Sequence, residues 1–110
     1  MPTVTVYTSD RDHLGALIEL APKLKRFVAG QLTSAEFELT PDAVSIRILL
    51  AEGSAMIAPV EVEMTAHAFT DRLETQDEIC RNVMDFIKSQ DASLQNVRAW
   101  LILCQLGHSW

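Results

Sequence analysis

The chain has 110 residues, 48% of them hydrophobic and 22% charged, which suits one folded domain with its own core and is too few for two of ordinary size. Fifteen acidic against nine basic residues give a net charge of -6 and an isoelectric point near 4.9, a field that repels phosphate backbones and argues against nucleic acid as a partner. The longest apolar run, Ala99 to Cys104, is far short of the roughly 20 residues that span a bilayer, and no basic, hydrophobic leader opens the sequence, so neither a membrane partner nor Sec-type export is expected.

Thr3 to Thr8 alternates in period two and predicts a first strand, with Val4 and Val6 on one face and Thr3, Thr5 and Tyr7 on the other. Ser9, Asp10 and Asp12 then supply capping groups and negative charge ahead of a helical stripe of Leu14, Leu17, Ile18, Ala21, Leu24 and Val28 that ends at Gly30. Pro22 lies inside that stripe and lacks a backbone donor, which would kink or divide the helix, and a bent helix is expected. Residues 31 to 43 read as irregular, with a short extended piece at Phe37 and Leu39 before the turn signal Thr40-Pro41-Asp42.

A second strand runs from Val44 to Leu50 and a third from Val60 to Ala66, the latter alternating with Glu61, Glu63 and Thr65. Thr75 and Glu78 have the spacing of a capping box for a second helix whose buried stripe is Ile79, Val83, Phe86 and Ile87. The last strand is Val97 to Cys104.

The order βαβ then βαβ raises the question of an internal repeat, and the sequence supports one. Asp42 to Leu50 resembles Leu94 to Leu101, each with an arginine (Arg47, Arg98) after a β-branched residue at the start of a strand, and Arg11 and Arg72 each precede a helix. The expected class is therefore α+β, a four-stranded mixed sheet from two tandem βαβ units (2–50 and 59–104) with both helices on one face. The bare face carries Thr3, Thr5, Tyr7, Arg47, Glu61, Glu63, Arg98, Trp100 and Ile102, too apolar to be simply solvated, so the sheets are expected to cover one another in an oligomer.

Met1-Pro2 opens the sequence, and trimming of methionine before proline would expose a secondary amine at the tip of the first strand. An α-amine titrates at about 7.7 to 8.0, and nearby cations with desolvation bring it toward neutrality, where it works as a general base. Cys80 and Cys104 match neither a disulfide framework nor a zinc or redox motif, which points to a reducing, cytoplasmic setting. His13, His67 and His108 have no shared metal spacing, and His67 at the end of the third strand stands between a strand-end polar group and a residue of the site.

Pro2 followed at once by a strand, the duplicated βαβ halves, the stretch Val44 to Glu52 and the segment Asp71 to Gln76 resemble the tautomerase superfamily, which includes 4-oxalocrotonate tautomerase, 5-carboxymethyl-2-hydroxymuconate isomerase and macrophage migration inhibitory factor. Asp71 to Gln76 and its continuation Val83 to Lys88 are most similar to the carboxymethyl-hydroxymuconate isomerase branch. The resemblance implies a homotrimer without metal or organic cofactor and with the amino-terminal proline in a pocket between subunits. It also implies keto-enol tautomerisation or double-bond migration in an anionic 2-oxo or 2-hydroxy acid.

In that reading Pro2 is the catalytic base, Arg47 and Arg11 hold substrate oxygens with Arg72 as a further candidate, and Trp110 falls near the family's aromatic wall. Forked guanidinium groups suit that task, since they pair with carboxylates and stabilise developing negative charge. Other readings of the same residues stay open. Arg47 and Arg98 could pair with Glu61 and Glu63 across strands. The whole chain could be a non-catalytic ligand-binding or assembly protein on a tautomerase-like or ferredoxin-like scaffold.

Overall fold

A computed structural model describes residues 2–52 and 55–107. Period-two stretches form the strands β1 (Thr3–Thr8), β2 (Ser45–Leu50), β3 (Val60–His67) and β4 (Val97–Cys104), and period-3.6 stretches form α1 (Leu14–Leu32) and α3 (Gln76–Gln90). A short helix absent from the sequence reading, α2 (Thr70–Glu74), precedes α3. The strands lie in the order β2-β1-β3-β4. β1 pairs parallel with β2 and β3 parallel with β4, while the central β1/β3 pair is antiparallel. This is the expected mixed four-stranded sheet.

Alternation sorts the two faces. Val4, Val6, Val60, Val62, Met64, Ala66, Val97 and Leu101 are buried on one face, together with Leu17, Leu24, Val28 and Leu32 of α1 and Ile79, Val83 and Ile87 of α3. Each buried Val, Leu, Ile or Met side chain among these contributes about 1.5–3 kcal/mol relative to exposure. Between the helices the Phe27 and Phe86 rings stack with centroids 4.2 Å apart. On the other face the registers Arg47↔Thr5, Thr5↔Glu63 and Glu63↔Trp100 make one row across all four strands. Leu49, Trp100 and Ile102 on that face are 41 to 49% exposed.

α1 runs as one helix from Leu14 to Leu32 with Pro22 inside it. Pro22 is exposed and so is Ile18, whose carbonyl would have accepted the missing bond, so water can satisfy that oxygen. One expectation about the helices is corrected: the capping box at Thr75 and Glu78 does not form. Thr75 makes no side-chain cap to α3, because its hydroxyl donates back to the Asp71 carbonyl at 2.9 Å and closes α2 instead. The turn signal at Pro41 is a single 3-10 turn, Pro41–Ala43.

Candidate active site at the Pro2 end of the sheet

Pro2 is buried, and its carbonyl accepts the Ser45 N–H at 3.1 Å. That bond extends the β1/β2 ladder by one step and fixes the tip of the central strand. Because β3 runs antiparallel to β1, with Thr3↔Thr65 as its last pair at this end, the tip lies beside the Ala66–His67 end of β3. The C-terminus of α1 and all of α2 close the same end, as the contacts of Arg72 show.

Arg72 is only 3% exposed. Its Nε donates to the Leu32 carbonyl at 2.7 Å and its Nη1 to the His67 carbonyl at 3.0 Å. Its guanidinium carbon sits 4.8 Å from the Phe69 ring centroid. Burial lowers its pKa, and the neighbouring Asp71 partly offsets this. Asp71 accepts from the Ala35 N–H and the Ser34 hydroxyl, both at 2.8 Å. These bonds, the Ala35 amide foremost, hold its carboxyl below the ordinary value of 3.8. Asp71 and Arg72 together therefore clasp the end of α1 to the end of β3. Arg72, expected from the sequence as a further substrate-binding candidate, thus lies at the Pro2 end of the sheet with two of its five N–H donors taken by backbone carbonyls.

Arg11 sits at the other end of the sheet. It follows β1, and its Nη2 meets Glu52 Oε1 at 2.9 Å, both side chains being more than 70% exposed. Six strand residues, about 20 Å of extended chain, separate it from Pro2 within one protomer. Arg47 is exposed on the open face of the edge strand β2, opposite Thr5. It makes no ion pair among the described residues.

The cross-strand alternative forms no ion pair among the described residues. Arg98 stands opposite Glu61 in the register, but the Glu61 carboxylate accepts the Ile57 and Ala58 amides. Trp110 lies outside the described residues. A cavity of about 190 Å³ lined by Ala16, Glu19, Leu20, Lys23, Gln90 and Asp91 opens between the helices. It lies toward the Thr8 end of the sheet and shares no residue with the Pro2 end.

No protein-family model matches the sequence, and no curated protein matches it. Solved structures do match. A fused 4-OT described as a wild-type asymmetric trimer aligns with a TM-score of 0.71 at 15% identity, over 97% of this chain and 92% of that one. A macrophage migration inhibitory factor-like protein from Entamoeba histolytica aligns with a TM-score of 0.68 at 7% identity, over 98% and 95% of the two chains. A protein of unknown function from Vibrio cholerae gives 0.66 at 15% identity, over 99% and 82%. At these identities the likeness is one of fold, and it covers nearly the whole chain.

Proposed function

We propose that this chain is an isomerase of the tautomerase superfamily that moves a proton within an unsaturated 2-oxo or 2-hydroxy carboxylic acid, with the amine of Pro2, freed by removal of Met1, as base and then acid. The observation that carries this reading is the placement of Pro2. It is buried and hydrogen-bonded through its carbonyl at the tip of the central strand, so its nitrogen has a set direction, in a fold shared with 4-OT and a macrophage migration inhibitory factor-like protein.

The chemistry follows from the amine. In ketonisation the neutral Pro2 nitrogen takes the enol O–H proton, the oxygen lone pair closes the carbonyl, and the carbon–carbon double bond takes a proton back from the prolinium at carbon. Charge passes through an enolate oxygen, which a guanidinium stabilises. Arg47 is the candidate within the chain, on the open face two residues beyond the Ser45 amide that binds Pro2. Arg11 can serve only the Pro2 of a neighbouring copy. A homotrimer, the assembly named for the fused 4-OT, would both supply such copies and cover Leu49, Trp100 and Ile102. The reading leaves Arg72 to its structural clasp.

Intact-mass measurement of the protein from its own cell is the first test. Retained Met1 removes the base and favours the non-catalytic ligand-binding reading. With the amine free, Pro2→Ala should lower kcat/KM for enol-to-keto conversion of phenylenolpyruvate by about 10- to 100-fold, a partial loss because a primary amine remains. Equal rates would take the proline out of the mechanism.

A further inference from the structure

His67 ends β3 on the open face of the sheet, opposite Cys104 of β4, and its surroundings fix both the ring and its tautomer. Its carbonyl accepts Arg72 Nη1 at 3.0 Å and the Phe69 amide at 3.0 Å. Its ring lies 4.7 Å from the Phe69 ring at a 57° tilt, and the Arg72 guanidinium also packs on the Phe69 ring. The Leu106 N–H donates to His67 Nδ1 at 3.4 Å, so in the neutral ring the proton resides on Nε2. Nε2–H has no hydrogen-bond partner among the described residues, and it is not sealed inside, since the buried side-chain nitrogen left unpaired among them is His13 Nδ1.

The β1/β3 ladder gives this donor a target. Carried beyond Thr3↔Thr65, it sets Pro2 opposite Ala66 and directs the Pro2 nitrogen toward the position facing His67, where antiparallel partners stand about 4.5–5.5 Å apart at Cα. Arg47 lies on the same face, about 16 Å from His67 between backbones by strand rise and spacing. That span on one face is long enough to seat a small carboxylic acid between the two side chains.

We propose that His67 is a catalytic residue of this site whose Nε2–H donates a hydrogen bond to the substrate oxygen that becomes an enolate. The histidine keeps its proton throughout, while Pro2 carries the transferred one. This rests on the isomerase reading above.

The test follows phenylenolpyruvate ketonisation in His67→Phe, His67→Gln and Pro2→Ala beside the wild type. His67→Phe, which keeps an aromatic ring against Phe69 and loses the donor, should lower kcat about 10- to 100-fold with KM changed less than about threefold. His67→Gln, which regains an N–H, should recover most of that loss. Wild-type kcat in His67→Phe, or equal loss in both variants, overturns the role. Should His67→Phe fail to fold, His67→Gln against His67→Glu makes the same comparison, since glutamate has the size of glutamine and no donor; equal rates overturn the role. A slow Pro2→Ala with a fully active His67→Phe refutes His67 alone. A Pro2→Ala at wild-type rate, or a wild type inert toward both phenylenolpyruvate and 2-hydroxymuconate, refutes the isomerase reading with it.

Discussion

The passages leading out of β1 and β3 each place an arginine shortly after the strand, Arg11 in one and Arg72 in the other, and the fold puts them to opposite uses. Arg11 lies in solvent and meets a solvated Glu52, an arrangement in which Coulomb attraction is nearly cancelled by hydration and side-chain entropy. Arg72 is 3% exposed and donates to two backbone carbonyls at the junction of α1 and β3, that of Leu32 and that of His67, which also accepts the Phe69 amide. The same side chain is thus a loose surface pair in one half of the repeat and an internal tie in the other. The end of the sheet that holds Pro2 is the tied one, which suits a site needing a fixed nitrogen.

Removing the tie should have the largest effect. Arg72→Met takes the side-chain donor from the Leu32 carbonyl and one of two donors from the His67 carbonyl and should cost about 3 kcal/mol of stability, read by denaturant unfolding at one protein concentration, because association shifts apparent stability. A loss no greater than that of Arg11→Ala would erase the contrast between the two passages.

A smaller effect is expected at Asp71. Its folded pKa is depressed by the Ala35 and Ser34 bonds, so its contribution is complete above the unfolded value and is lost as pH falls through the folded one. Melting temperatures recorded from pH 6 down to pH 2 should therefore converge for wild type and Asp71→Asn at the acid end, with wild type higher near neutrality. Parallel curves would show that the carboxylate charge does not support the clasp.

The smallest change in stability belongs to Arg11→Ala, less than about 0.5 kcal/mol and shrinking with added salt. This variant also sharpens the comparison, because a fall in kcat/KM without a fall in stability would mean that Arg11 reaches the Pro2 of an adjoining copy.

The strands and the open face were legible because each depends on a local rule. Period-two alternation placed Thr5, Arg47, Glu63 and Trp100 on the bare side, and the register lines them up in one row. The stripe Leu17, Leu24, Val28 marked the buried side of α1 in the same way. Where two local signals competed, the sequence misled. Thr75 had the spacing of a capping box, but its hydroxyl found the Asp71 carbonyl one turn back, since α2 had already brought that oxygen within reach.

Composition, alternation and the paired βαβ order were enough to determine a mixed four-stranded sheet with one covered and one open face, because side-chain period and hydrophobic burial act between near neighbours. The fate of individual charged groups was decided only in three dimensions. The β1/β3 pairing brings His67 to the Pro2 end and leaves Arg11 at the opposite one, and the close of α1 brings Leu32 to Arg72, forty residues away in the chain. An arginine bound to carbonyls and one free for an anion look alike in sequence. They differ only in which backbone oxygens the rest of the fold delivers to them.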